Sequence, residues 1–512
     1  MMNVISTTGK VFLVGAGPGD PGLLTLRAVE CLQQADFVLH DYLSSPRTLS
    51  YARTGAELLC VDQLPGEHPQ RWPAIHQRII DEARKGKTVV RLKGGDPLIF
   101  GRGGEEAEAL RQAGIPYEIV PGVSAALAAG AYAEIPLTHR AHASAVAFVT
   151  GHEHPGKATS RLDWDALAKF PGTLAMYMGV GRLGTIASEL VARGKSPETP
   201  AALVHQASTG DQRTVVGTLA TIENLVRHAG VTSPSLMVVG PVVALKPEMS
   251  WFETRPLLGV RVLITRPRPQ ADAFARKLEL LGAVPDILPV LEIRPPNDWS
   301  PVDTAIEVLQ AGGYDWLIWT SVNGVETFFD RLKMVGKDMR TLGRVKLAVV
   351  GSATARKLAE YHLKPDLMPT GEMRSEGLAD ALAEQVQGSR ILLAQASQGR
   401  ELLRDRLAAS ATVDSVIVYE QVDAVEKNHP LFDRLRRGEI HFVTLTSPNI
   451  AKAFLNACDK TILDRFRKGT TQLVVNSERL QVQLKDAGYS PICSANPTES
   501  ALIDVILKEP KT

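Results

Sequence analysis

The chain has 512 residues, 44% of them hydrophobic and 22% charged, with a formal net charge of +1. At about 150 residues per domain, such a length holds three or four cores rather than one. The composition excludes a disordered or fibrous protein, and the near-neutral charge excludes the general basic field that nucleic acid attracts.

Read from its start, MMNVISTTGKVFLVG lacks the apolar stretch of a signal peptide, and no run of about 18 apolar residues follows anywhere. A cytoplasmic enzyme with no membrane and no nucleic-acid partner is expected. Val11 to Val14 reads as a buried strand entering Gly15-Ala-Gly-Pro-Gly-Asp-Pro-Gly22, after which Leu23, Leu24, Leu26, Ala28 and Val29 recur at helical spacing. A second strand from Asp36 to Asp41 ends in an acid about 20 residues downstream, as in dinucleotide-binding folds. Two positions argue against a dinucleotide. Asp20 stands where the last glycine of that fingerprint belongs, and its carboxylate would repel a pyrophosphate; Pro18 lacks the N–H that a phosphate wants. A ligand with a cationic centre and no phosphate, such as S-adenosylmethionine, suits the loop better.

Thr88, Val89, Val90 and Leu92 predict a further strand, and Glu105, Ala109 and Leu110 begin a helical period, so the Gly94-Gly95-Asp96-Pro97 turn falls at a strand's carboxyl end. Open α/β sheets bind ligands there. Adjacent glycines admit a ligand close to the backbone, and Asp96 can accept hydrogen bonds from hydroxyls or an ammonium. Similar loops follow at Val120-Pro-Gly-Val-Ser124-Ala125, at Ile135-Pro-Leu-Thr-His139-Arg140 beyond a small-residue helix from Ala125 to Ala133, at Thr150-Gly151-His152 and at Met178-Gly179. Strands alternating with helices through residue 245 predict two consecutive α/β lobes whose cleft gathers these loops. No metal is expected. His152 and His154 are spaced H-x-H without a third ligand, and Cys31, Cys60, Cys458 and Cys493 form no C-x-x-C pair.

Together GAGPGDPGLLTL, the Asp41 strand end, RLKGGDPLIFGRGGEE, VPGVSAA, PLTHR, VTGH, MYMG and SPSLMVVGPVVAL resemble the uroporphyrinogen-III C-methyltransferases of the tetrapyrrole methylase family over residues 10 to 246. That resemblance implies the two-lobed tetrapyrrole methylase fold, with lobes about 10–134 and 135–246. It also implies an S-adenosylmethionine site lined by Pro18, Gly94, Gly95, Asp96, Ile99, Ser124, Ala125, Met178 and Ala207, with Asp41 as proton acceptor. The chemistry agrees: a pyrrole carbon that attacks a methyl sulfonium becomes a cation and must lose a proton, so a nearby aspartate both stabilises charge and takes that proton. Arg140, with Arg91 and Arg102, is expected to pair with the carboxylates of a uroporphyrinogen, because a guanidinium fork matches a carboxylate. A homodimer through this half is implied as well. The sequence departs from the family at Asp62 and Gln63, where relatives carry glycine and a proton-donating lysine. It departs again at Glu134, in a stretch where relatives read glycine-isoleucine-proline, and at Ala207, where relatives have glycine. No residue takes the donor's place.

Residues 247–258 read as a linker. Beyond it a duplication appears: Arg261-Val-Leu-Ile matches Arg390-Ile-Leu-Leu, Thr320-Ser321-Val-Asn323 matches Thr446-Ser447-Pro-Asn449, and Ala348-Val-Val-Gly351 matches Leu473-Val-Val-Asn476. ITRPRPQADAF, YDWLIWTSVNGVETFF, VVGSATARKL, VIVYEQV and TLTSPNIAKAF resemble the uroporphyrinogen-III synthases over residues 259 to 507. The likeness implies two duplicated α/β lobes, one about 259–292 plus 423–512 and the other about 293–422, joined by a two-stranded connector near Ile293 and Tyr419 with the active site between them. The implied reaction closes linear hydroxymethylbilane with inversion of its last pyrrole, and Tyr419 matches the family tyrosine that would assist hydroxyl departure. Ser321, Asn323, Gly351, Thr354, Ser447 and Asn449 are expected to bind substrate acetates and propionates, or simply to cap helices.

The expected protein is α/β throughout. It would cyclise hydroxymethylbilane to uroporphyrinogen III, a lyase step, and methylate that product twice to precorrin-2 on the way to sirohaem or cobalamin, with S-adenosylmethionine as its cofactor and neither NAD nor iron insertion. The alternative keeps the methyltransferase but makes the second half a non-catalytic tetrapyrrole-binding module, because Ser477-Glu478-Arg479-Leu480 replaces the family's glycine and threonines.

Overall fold

Five apolar runs build the first sheet of the computed structural model, in the order Glu57–Cys60, Phe37–His40, Val89–Lys93, Val11–Gly15, Tyr117–Val120, all parallel. Residues 8–509 are described, apart from 43, 66–70, 152–161, 249–250, 371–374, 399–400 and 427. His152 and His154 therefore lie outside the described residues. Parallel strands are covered on both faces, which is why VFLVG and VVRLK are buried from end to end. Thr25 starts the first crossover helix, Leu26–Gln34, by accepting a hydrogen bond from the Ala28 N–H at 3.1 Å, and the helix buries Ala28, Cys31 and Leu32. Because Val11–Gly15 lies between Val89–Lys93 and Tyr117–Val120, the loops leaving three neighbouring strands emerge side by side.

A second, mixed sheet follows, ordered Val146–Thr150, Thr173–Tyr177, Ser235–Val239, Pro200–His205, Arg213–Thr218, with only its first pair parallel. The stretch read as a linker is packed rather than free. Phe252 is buried, its ring meets Tyr132 at 4.8 Å, and its N–H donates to Glu134 at 3.0 Å. Glu134 sits at φ 61°, the left-handed region that suits glycine, and its carboxylate also accepts from the Trp251 N–H. The departure at Glu134 thus exchanges an unstrained glycine for a carboxylate that holds two backbone amides.

Contact density divides the chain into two compact units, residues 1–261 with 276–285 and residues 262–275 with 286–510. Two further sheets follow, one lying in the second unit except for Arg261 and residues 284–285 and the other lying in it entirely. One is ordered Val284–Ile287, Arg261–Ile264, Phe442–Leu445, Gln472–Val475, Ile492–Cys493; the other Leu291–Arg294, Thr412–Asp423, Arg390–Ala396, Trp316–Trp319, Lys346–Val349. The duplication is visible in geometry. Arg261–Ile264, Phe442–Leu445 and Gln472–Val475 stand in the same parallel succession as Arg390–Ala396, Trp316–Trp319 and Lys346–Val349. Where the chain passes between these sheets, Ile293 and Gln421 are partners in an antiparallel pair. Among the described residues no helix is long and apolar enough to cross a membrane, and no cluster of side chains could hold a metal ion.

Candidate active sites

The first site is built by backbone approach. Gly17 and Gly95 exchange hydrogen bonds, Gly95 N–H to Gly17 O at 2.8 Å and Gly17 N–H to Gly95 O at 3.2 Å, which joins the first glycine loop to the Gly94-Gly95-Asp96 turn. Gly122 closes against both: a Cβ there would lie 2.3 Å from Gly95 O and 2.8 Å from Gly15 Cα. No side chain fits where three strand ends converge. Asp96 fixes the arrangement by accepting from Leu98 N–H at 2.8 Å and Gly122 N–H at 3.1 Å, so both of its oxygens already serve the loops. Asp20 likewise accepts from Gly22 N–H at 2.7 Å and from the Tyr132 hydroxyl at 3.0 Å.

The second lobe meets these loops through Tyr177, whose role was not legible in the sequence. Its hydroxyl lies 2.6 Å from Ser124 Oγ and accepts from Ala126 N–H at 3.1 Å, and its ring packs on Phe100 at 4.9 Å. Burial pushes the Tyr177 phenol up, against those two hydrogen bonds, so it stays protonated. Ile99, Ala125 and Ala207 pack on the cluster that contains Tyr177, while Met178, half exposed, turns at φ 56° directly after it. The Asp20 N–H donates to Ser208 Oγ at 3.2 Å, which ties the Pro18 loop to residues 206–208. The expected lining from Pro18 to Ala207 is therefore brought together.

Asp41 ends the strand Phe37–His40 and lies beside the same turn, with Oδ2 accepting from Gly94 N–H at 3.3 Å. It caps no helix, since Ser45 caps Pro46–Leu49. Burial alone would push its carboxyl up, but the Arg91 and Lys93 cations and the Gly94 amide hold it below the usual carboxylate value. Arg91 corrects the sequence reading. It is fully buried and committed to Asp41, Glu106 and two backbone carbonyls, so it offers nothing to a substrate carboxylate. Arg102 stacks over Trp72 at 4.1 Å and pairs with Glu105 at 2.9 Å. Arg140 is exposed. Gln63, at the position of the family lysine, is exposed and accepts from Cys60 N–H at 3.1 Å.

Among the described residues, the groups that touch Tyr419 at the centre of the second site are neutral. Tyr419 is 3% exposed, and its hydroxyl lies 3.0 Å from Ser321 Oγ, so it does not point to solvent as a plain connector tyrosine would. Burial raises its pKa against hydrogen bonds from Ser321, Gln421 and Asn323. Carboxamides surround it: Gln270 Nε2 donates to Asn323 at 3.3 Å, and Asn449 Nδ2 donates to Gln398 at 3.3 Å and to Gln421 at 3.2 Å. Ser321 and Ser447 both cap helices, accepting from Gly324 N–H at 3.0 Å and Ile450 N–H at 3.2 Å, with φ of -155° and -154°. Gly351 opens the helix Ser352–Glu360 at the end of the next strand, while Thr354 is buried inside that helix and is poorly placed to meet a substrate. At the eroded loop Ser477 still precedes a helix, Glu478–Asp486, and Arg479 is exposed.

Comparison with known proteins follows the same division. A family model described as Tetrapyrrole (Corrin/Porphyrin) Methylases matches residues 10–223, and one described as Uroporphyrinogen-III synthase HemD matches residues 272–504. The chain is 35% identical over 451 residues to the porphyrin biosynthesis protein HemD of Ruminiclostridium josui, covering 87% of this chain and 88% of that one. It is 49% identical over 235 residues to the uroporphyrinogen-III C-methyltransferase of Priestia megaterium, covering 46% of this chain and 98% of that protein. Among solved structures, the native uroporphyrin III C-methyl transferase from Thermus thermophilus is 41% identical with a TM-score of 0.40, covering 46% of this chain and 94% of that chain.

Proposed function

The chain belongs to the tetrapyrrole methylases through its first half and to the uroporphyrinogen-III synthases through its second, and we propose from this that it closes hydroxymethylbilane to uroporphyrinogen III and methylates that ring twice to precorrin-2. The observation that carries the methyl-transfer reading is the Asp41 carboxylate held beside the Gly94-Gly95 turn. S-adenosylmethionine supplies an electrophilic methyl group, and the loops suit it: the Asp96 carboxylate discourages a phosphate while tolerating a cationic centre, whereas Asp20 is already paired with Arg276 at 3.0 Å. Asp41 stabilises positive charge as a pyrrole carbon is alkylated and then takes the proton that the resulting cation loses from another position of the ring system, since the methylated carbon already bears a side chain and carries none. Pro18, Gly94, Gly95, Asp96, Ile99, Ser124, Ala125, Met178 and Ala207 form the cofactor lining in this reading, and Arg140 meets a propionate.

In the second unit the Tyr419 hydroxyl sits against Ser321 with a ring of carboxamides around it. Those neutral donors suit the acetates and propionates of a bilane, and the tyrosine proton assists departure of the terminal hydroxyl. Ser321, Asn323, Gly351 and Ser447 contribute at strand-end loops, and Thr354, buried in its helix, is left out of this reading. The reading carries a cytoplasmic location, a homodimer through the first unit, and a product that leads to sirohaem or cobalamin, each supported by family likeness alone.

Purified protein supplied with hydroxymethylbilane and methyl-labelled S-adenosylmethionine tests both halves at once. The expected product is a labelled type III macrocycle. Formation of the type I ring alone would remove the synthase and leave a tetrapyrrole-binding module; a type III ring without label would remove the methyltransferase.

A further inference from the structure

Three ionisable side chains lie inside the first unit and take no part in the scheme above: Arg91 at 0% exposure, Lys93 at 1% and Glu106 at 0%. Burying charge is costly unless each group is paired and hydrogen-bonded, so such a cluster calls for a reason. Its geometry runs towards one acid. Arg91 Nε donates to Glu106 Oε1 at 3.1 Å, Nη1 donates to the Leu39 and Leu92 carbonyls at 3.3 and 3.1 Å, and Nη2 donates to Asp41 Oδ1. Lys93 Nζ donates to the same Glu106 oxygen at 2.7 Å, which fixes the clamp from its other side. Asp41 is the one carboxylate of the four-residue group that reaches the surface, with its side chain 27% exposed.

We propose that Arg91, clamped by Glu106, is a positioning residue that ties Asp41 Oδ1 and so leaves Oδ2, beside the Gly94 N–H, as the oxygen that takes the proton. This rests on the reading of Asp41 as proton acceptor. An oxygen bound to a guanidinium is the less basic of the two, whereas Oδ2 is held only by one long amide contact at 3.3 Å. The backbone is fixed as well, since Asp41 N–H donates to Leu92 O at 3.1 Å. Among the described residues the charged groups around Asp41 are Arg91 and Lys93 on the neighbouring strand and Glu106 on the helix Gly103–Gln112, with His76 acting on Lys93 and Glu106, Glu105 acting on Lys93, and Arg102 paired with Glu105 behind them. The ring of His40 touches only the Asp41 carbonyl, at 3.1 Å.

The test uses the full chain and follows label transfer from S-adenosylmethionine to uroporphyrinogen III across pH. Arg91→Met is expected to lower kcat about 100-fold with KM and S-adenosylmethionine affinity within about twofold, as for loss of oriented general-base catalysis. Its acid limb should move to higher pH, because burial that raises the Asp41 pKa is then less opposed. Glu106→Gln should lower kcat less and move the acid limb to lower pH, because Arg91 and Lys93 then act on Asp41 without a competing carboxylate. Opposite displacements are what a merely structural pair would not give. If Arg91→Met fails to bind S-adenosylmethionine, Glu106→Gln decides by itself. Wild-type kcat and an unmoved pH profile in a variant that binds the cofactor would overturn the inference while leaving the function intact; no label transfer by the unaltered chain would overturn both.

Discussion

The two units place their candidate chemistry at strand ends in the same way and fill the sites oppositely. In the first, Asp41 is backed by two buried cations and a buried carboxylate; in the second, Tyr419 is backed by a serine and carboxamides. The difference follows the two reactions. Removing a proton from an alkylated ring needs a fixed, ionised base, whereas closing a chain around its last pyrrole needs mostly shape and neutral donors. A charged site responds to pH and to loss of one partner; a neutral site responds to packing.

The largest expected effect breaks the charged side alone. Asp41→Asn should lower methyl incorporation about 1000-fold, with the ratio of type III to type I ring unchanged, and full retention of methylation would remove Asp41 as base. Next comes Gly122→Ala, whose Cβ would lie 2.3 Å from Gly95 O. Overpacking of that kind costs about 1–3 kcal/mol, so cofactor affinity measured by calorimetry should fall about 10- to 100-fold. On the neutral side, Tyr419→Phe should slow ring closure about tenfold, the worth of one buried hydrogen bond, in a cyclisation assay. The pH profiles sharpen the contrast. Methylation should hold its rate down to about pH 5, because the Asp41 pKa is lowered and the carboxylate stays ionised until the pH falls through its own value. Ring closure should stay flat between about pH 6 and 9, since the Tyr419 pKa is raised and its proton stays on. The smallest effect is Ser447→Ala, which removes the cap on Pro448–Ala457 and should cost about 1 kcal/mol in denaturant unfolding.

Much of this was legible in the chain. Glycine loops after apolar runs marked the strand ends, and the matched Thr-Ser pairs at 320 and 446 marked a duplication whose caps adopt nearly equal backbone angles. Residues expected to bind a substrate or cofactor and those that hold the loops proved harder to separate. Asp96 reads as a free acceptor yet gives both oxygens to backbone amides, and Thr354 reads as a substrate contact or a cap yet is buried inside its helix.

By itself the sequence determined what depends on neighbours a few residues apart: strand and helix periods, loop chemistry, caps and the repeat. Only the tertiary structure decided who pairs with whom. Arg91 reads as a free cation in its strand, but parallel pairing brings Asp41, 50 residues away, and the following helix brings Glu106, 15 residues away, onto one guanidinium. Ser124 and Tyr177, 53 residues apart and on different sheets, meet where the two lobes of the first unit pack together. Sheet order sets which strand ends adjoin, and in a buried site an ionised group must find its partner there because no water can serve instead.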